Sequence, residues 1–305
     1  MNKLNCKFWG VDFKNNVVTS SGCFGFGLEY KDYFDPNILG GIGLKGTTLA
    51  PRDGNYGIRI AETAGGMLNC IGLENPGIEY VQSILIEDLK ENNITTPLII
   101  NINGSTIEDY VEIAKIVDSI KELELIELNI SCPNVKDGGM AFGANPQVAG
   151  EVTRQVRAVT KKPLIVKLSP NVTDIAMIAK IVEDNGADGI SLINTLLGMD
   201  IDIKTRKPLL GNIFGGLSGP AVKPVALRMV YQVYKNVKIP IIGMGGINSW
   251  EDALEFILAG SSLVSIGTGI FTNPILPLEV IAGLNKYCEE NNVENICDLI
   301  GVAHL

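Results

Sequence analysis

Eight short apolar runs recur along the chain, each closing on polar or glycine residues. They read "NVVTSSG" near 16–22, "GIGLKGTT" near 41–48, "PLIINING" near 97–104 and "LIELNISCP" near 125–133. The second four are "PLIVKLSP" near 163–170, "DGISLINT" near 188–195, "IPIIGMGG" near 239–246 and "SLVSIGTG" near 262–269. They are nearly continuous in β-branched and aliphatic residues, as parallel strands buried on both faces must be. Most of the gaps hold a helical period. "STIEDYVEIAKIVDSIKE" puts Ile107, Tyr110, Val111, Ala114 and Val117 on one stripe, with Ile113 and Ile120 at its edge and Asp118 as the one charge within it. "TDIAMIAKIVEDNGAD" predicts a helix from a Thr173 cap to Gly186, and "SWEDALEFILAGSS" one from Ser249 to Gly260. Eight strands alternating with helices point to a closed (β/α)8 barrel, a TIM barrel. A doubly wound sheet fits less well, because no G-x-G-x-x-G follows the first strand. The N-terminal "CKFWGVDFKNN" reads as a small hairpin at the barrel bottom. With no linker, low-complexity stretch or strong repeat, residues 1–305 are expected to form one domain.

Bulk numbers narrow the chemistry. A chain of 305 residues, 46% hydrophobic and 19% charged, has globular composition. At this length roughly 75% of the unfolded surface can be buried, so no staples are needed. A net charge of −9 offers no basic stripe for nucleic acid or an anionic membrane surface. No run approaches the roughly 18 apolar residues of a membrane helix, and the first residues carry no signal-like stretch. Six scattered cysteines without a C-x-x-C pair argue against zinc or iron–sulfur ligation within the chain and fit a reducing cytoplasm. The single histidine, His304, leaves no internal imidazole for a Ser-His-Asp or Cys-His arrangement. A general base must then be a carboxylate, lysine, tyrosine or cysteine.

In such barrels the active site lies at the C-terminal ends of the strands. Glycine-rich turns at Gly243, Gly245 and Gly246 and at Gly267, Thr268 and Gly269 can bring backbone N–H groups to a phosphate. Asn69, Asn129, Asn134 and Asn194 form a second pattern: converging amides suit a flat heterocycle with alternating C=O and N–H groups. Lys45 and Lys167 end two strands, where a lysine can form a Schiff base, bind phosphate or stabilise negative charge on a cofactor ring. Cys132 follows the fourth strand among amides, before a "VKDGGMAFGANP" stretch whose glycines could hinge a lid. It is the best candidate base in the chain. Cys6, Cys23, Cys70, Cys288 and Cys297 read as packing residues, Cys70 least securely because it lies in "NCIGLENPG".

The stretches "SSGCFGFGLEY", "LKGTTLAPRDGN", "GGMLNCIGLENPG", "ELNISCPNVKDGGMAFG", "PLIVKLSPNVTDI", "INTLLGMDID", "GGLSGPAVKPVALR", "IPIIGMGGI" and "SIGTGIF", in that order, resemble the catalytic subunit of class 1B, NAD-dependent dihydroorotate dehydrogenases. The resemblance covers almost the whole chain. It implies an FMN-containing barrel that oxidises dihydroorotate to orotate for pyrimidine biosynthesis. By that resemblance Cys132 is the base for the C5 proton. Asn69, Asn129, Asn134, Asn194 and Thr195, with the backbone of Cys70, Ile71, Gly72 and Leu73, hold the pyrimidine. Lys45 lies between flavin and substrate. Ser21, Gly46, Asn101, Asn129, Lys167, Ile193 and Gly219 contact FMN, and Gly245, Gly246, Gly267 and Thr268 bind its phosphate. Gly46 and Cys70 stand where the family leads one to expect alanine. A partner subunit with FAD and a [2Fe–2S] cluster is implied, passing electrons to NAD⁺, with two copies of each subunit. Rival readings are a fumarate-dependent class 1A enzyme, a dihydropyrimidine dehydrogenase-like subunit, a flavin-free aldolase or isomerase with Lys45 or Lys167 as Schiff-base lysine, and a non-catalytic metabolite-binding barrel.

Overall fold

A computed structural model of the chain describes residues 3–131 and 142–304. Its centre is an eight-stranded parallel sheet: β1 (Val17–Thr19), β2 (Ile42–Gly43), β3 (Leu98–Ile102), β4 (Leu125–Asn129), β5 (Leu164–Lys167), β6 (Gly189–Leu192), β7 (Ile241–Met244) and β8 (Leu263–Ile266). Neighbours pair in chain order from β2 to β8, and β8 pairs with β1. The ring closes where Val18 bridges Gly41 in parallel, with Gly40 N–H donating to Val17 C=O at 2.9 Å. The predicted (β/α)8 barrel is therefore the observed fold.

The amphipathic helices cover the outside. Thr106 caps the Ile107–Ser119 helix in a reciprocal capping box with Asp109. Tyr110, Ile113, Ala114 and Val117 are its buried face, so Ile113 belongs to the core rather than the edge of the stripe. Asp118 is not a flaw in that helix. It accepts hydrogen bonds from Thr160 Oγ1 and Lys161 N–H, both 2.7 Å, and ties down the turn before β5. The Ile175–Asp184 helix starts one residue later than expected, capped by Asp174 rather than Thr173: the carboxylate accepts from Met177 N–H. Ser249 caps the Trp250–Leu258 helix as expected. After β1 the described residues form only a short 3₁₀ turn, Pro36–Ile38, where an ideal barrel would carry a helix. No helix among the described residues is long and apolar enough to cross a membrane.

The N-terminal hairpin pairs Cys6–Phe8 with Val11–Phe13. Trp9 and Gly10 make its turn with positive φ, a conformation glycine accepts freely. The Trp9 indole N–H donates to Asp188 C=O at 2.6 Å, just before β6. Phe13 and Cys6 pack with Val18, Ile99, Leu125, Ile165, Ile242 and Leu263, so the hairpin plugs the N-terminal end of the barrel.

One architectural element escaped the sequence reading. A second sheet, antiparallel and four-stranded, runs Leu196–Met199, Phe214–Ser218, Gly66–Asn69, Ile60–Thr63. Its strands come from two long connections, β2 to β3 and β6 to β7. Ala61, Leu68, Cys70 and Leu210 form its own small core.

Phe13 is almost fully buried. We expect Phe13→Ala to destabilise the protein by about 3–5 kcal/mol in a urea titration, as loss of a core aromatic does. A loss below about 1 kcal/mol would mean that the hairpin is not part of the barrel's floor.

Candidate active site

A parallel strand turns every second side chain inward. On β4 those residues are Leu125, Glu127 and Asn129; on β3 and just beyond it, Ile99, Asn101 and Asn103; on β5, Ile165 and Lys167. The lowest of each set joins the apolar floor. The rest build a polar interior above it, where barrels usually stack aliphatic layers. Asn101, Asn103, Glu127, Asn129, Lys167 and Ser191 are all buried.

A buried charge needs partners. Glu127 has three. Asn101 Nδ2 donates to Oε2 at 2.5 Å, Ser191 Oγ donates to Oε1 at 2.7 Å, and Lys167 Nζ lies 3.6 Å from Oε2. From Asn101 the hydrogen bonds continue upward. Asn103 Nδ2 donates to Asn101 Oδ1 (2.7 Å), and Asn129 Nδ2 to Asn103 Oδ1 (2.8 Å). Ser131 Oγ donates to Asn129 Oδ1, and Asn194 Nδ2 to Ser131 Oγ, both at 2.5 Å. A Cβ on Gly46 would fall 2.8 Å from Asn103 Nδ2 and 3.0 Å from Asn101 Oδ1. In this chain the glycine leaves room for those amides.

Lys167 also lines a cavity at the C-terminal ends of β6, β7, β8 and β1. Ser20, Ser21, Cys23, Ile193, Asn194, Thr195, Ser218, Gly219, Gly245, Gly246, Gly267 and Thr268 share its wall. Gly245 and Gly246 have φ of +121° and +81°, and a Cβ on Gly246 would lie 2.8 Å from Lys223 N. The turn is therefore open only to glycine. Among the described residues, the N–H groups of Gly245, Gly246, Gly267 and Thr268 have no hydrogen-bond acceptor. Thr268 Oγ1 donates to Ser218 Oγ at 2.8 Å and joins the β8 turn to the second sheet.

That sheet roofs the barrel mouth and carries Asn69, whose Nδ2 donates to Gly216 C=O at 3.3 Å. The following loop turns through Gly72 and Leu73, both at positive φ. Asn55 holds it by donating from Nδ2 to Cys70 C=O and from N–H to Ile71 C=O, both at 2.9 Å. The N–H groups of Ile71, Gly72 and Leu73 stay without an acceptor among the described residues. Cys70 itself packs into the roof's core, its thiol toward Ile58 C=O. Lys45 is half-buried beside Gly46. Arg59 first, then the more distant Lys45, holds the Glu74 carboxyl below its usual range.

The structure thus gathers Ser21, Lys167, Ile193, Asn194, Thr195, Gly219 and both glycine turns around one cavity. It joins Asn101 and Asn129 to that cavity through hydrogen bonds. Asn69 and residues 70–73 sit in the roof. Cys132, Asn134 and the glycines 138 and 139 lie outside the described residues. Cys23 also faces the cavity, but burial pushes its thiol up to about 11, with Lys167 pulling the other way, so it is no base near neutrality. Glu127 and Ser218 were not singled out as site residues from sequence. Glu127 carries a legible signal, a carboxylate at an inward position of an otherwise apolar strand.

Comparison with known proteins shows the family. The family profile described as dihydroorotate dehydrogenase matches residues 3–288. The chain is 65% identical over 306 aligned positions to a Brachyspira hyodysenteriae protein named dihydroorotate dehydrogenase B (NAD(+)), catalytic subunit, with both chains fully covered. Proteins of the same name from Parabacteroides distasonis and Desulforamulus reducens are 54% and 55% identical, with 99% or more of each chain covered. The chain belongs to the dihydroorotate dehydrogenase family.

Proposed function

We propose that this chain is the catalytic subunit of an NAD⁺-dependent dihydroorotate dehydrogenase, an oxidoreductase of pyrimidine biosynthesis that converts (S)-dihydroorotate to orotate. The observation that carries the reading is the buried Lys167 between a ring of amides and a glycine-edged cavity. This arrangement fits FMN. The N–H groups of Gly245, Gly246, Gly267 and Thr268, without an acceptor among the described residues, suit its phosphate. Ser21, Gly46, Asn101, Asn129, Ile193 and Gly219 would surround the rest, with Lys167 supplying a fixed cation. When bound, FMN supplies the acceptor for the hydride leaving C6, which no side chain can provide.

The chain's own residues do the remaining work. Cys132 takes the C5 proton; this role rests on the sequence, in which no internal histidine competes for it. Asn69, Asn129, Asn134, Asn194 and Thr195 match the alternating C=O and N–H edge of the pyrimidine. The N–H groups of Ile71, Gly72 and Leu73, without an acceptor among the described residues, suit its carboxylate together with Lys45. We read residues 1–305 as one FMN-binding domain working in the cytoplasm. Its electrons pass to NAD⁺ through a partner subunit carrying FAD and a [2Fe–2S] cluster, in an assembly with two copies of each. Tyr56, Ile58, Leu197, Ile201, Ile203, Ile213 and Phe214, exposed on and beside the roof, support a reading in which other subunits cover that surface.

The test is an anaerobic spectrum of the FMN-loaded protein before and after dihydroorotate. We expect the flavin band to bleach. A band that persists with dihydroorotate but bleaches with dihydrouracil would overturn the substrate. Cys132→Ser should keep FMN and slow bleaching at neutral pH by about 10²-fold or more, the scale of a lost general base. Wild-type rates would remove Cys132 from its role. Lys167→Ala should weaken FMN binding by about tenfold or more, as losing a charge-assisted contact does. Full loading with unchanged reactivity would count against that assignment.

A further inference from the structure

Six side chains line up from the barrel interior to the cavity, and every hydrogen bond along the line runs the same way. Asn194 donates to Ser131, Ser131 to Asn129, Asn129 to Asn103, Asn103 to Asn101, and Asn101 to Glu127. The two ends explain the direction. A carboxylate has acceptors only, so Asn101 must turn its NH₂ toward Glu127 and its carbonyl away. Ser191 fills the other oxygen of that carboxylate. At the far end a main-chain donor, Thr195 N–H, is 2.8 Å from Asn194 Oδ1, so Asn194 must turn its NH₂ into the chain. Between these anchors, and with Ser131 N–H also donating to Asn129 Oδ1 at 3.2 Å, only one orientation of each amide satisfies both neighbours. Asn101 and Asn103 are each 1% exposed, and Asn129 and Ser131 each 7%, so water is not at hand to repair a reversed link.

We propose that this one-way chain is what sets the donor and acceptor pattern shown to the pyrimidine, with Asn103 and Ser131 as positioning residues that touch neither flavin nor substrate. The inference rests on the reading of the cavity given above. A planar ring with fixed C=O and N–H groups is distinguished by which end of each amide it meets. A flipped Asn129 or Asn194 would set carbonyl against carbonyl. Asn103 is the central link, held also by its N–H to Thr47 C=O at 2.8 Å. Charged groups linked to it are Glu127 and Lys167 through Asn101, with Lys45 beyond Gly46 and Asp109 against the following Gly104.

The chemistry supplies a test that a packing role would not pass. In Asn103→Asp, a protonated carboxyl still donates to Asn101 and accepts from Asn129, preserving the direction. Ionised, it cannot donate, and Asn101 meets a second set of lone pairs. Orotate affinity of the FMN-loaded oxidised protein is read from the change in flavin absorbance, and FMN affinity from titration of the apoprotein. We expect the ratio of variant to wild-type Kd for orotate to climb between pH 5 and pH 9, from near one to about tenfold or more, the cost of an unsatisfied buried group. Ser131→Ala, near the open end and not dependent on refolding the interior, should weaken orotate by about tenfold at every pH and leave FMN affinity unchanged. A flat ratio for Asn103→Asp, or Ser131→Ala within about twofold of wild type, overturns the proposal while the functional reading stands. Wild-type protein that binds FMN but shows no response to orotate overturns the reading itself, and the proposal with it.

Discussion

Lys167 and Glu127 bring opposite charges into a barrel interior where most proteins of this shape pack aliphatic side chains. Removing each ion from water costs several kcal/mol, and Coulomb attraction at 3.6 Å offsets this only if the remaining lone pairs are filled. Asn101 and Ser191 fill them. The apolar floor below and the hairpin plug keep bulk water from reaching the pair from the N-terminal end. From this pair upward the interior stays polar, and its hydrogen bonds reach the cavity wall. A neutral residue at either position would leave the other as an uncompensated buried charge. The polar layers therefore stand or fall together.

The barrel was legible in the sequence because its strands are buried on both faces. Continuous apolar runs such as "PLIVKL" have few other uses in a chain of this composition. The glycine turns were legible for a related reason: their backbone conformation excludes other residues. Small discrepancies are local. Asp174 outcompetes Thr173 as a cap because its carboxylate reaches Met177 N–H. Asp118 looks out of place on a helical stripe until the turn it anchors, 42 residues away, is known.

The roof was not legible. Its strands are short, glycine-rich and drawn from connections more than 120 residues apart, as the pairing of Leu68 with Leu217 illustrates. Pattern reading finds local periodicity and has no access to such non-local pairing. Glu127 was overlooked for the opposite reason. The strand pattern was so clear that the charge within it drew no attention, although its spacing from Asn129 placed both on the same inward face. Cys70 shows the value of the structure for a doubtful residue: its thiol lies in the roof's core while its carbonyl is held by Asn55.

The roof is assembled from two insertions that leave the barrel between β2 and β3 and between β6 and β7, and Asn171 and Thr268 tie it to the ends of the barrel strands. The two halves of the chamber are thus encoded in separable parts of the chain. The interior is written into strand registers that tolerate little change. The covering pieces are excursions whose length and composition can drift without disturbing the ring of strands. A lineage could exchange the covering pieces and admit different substituents around the ring, while the amide pattern of the floor is inherited intact.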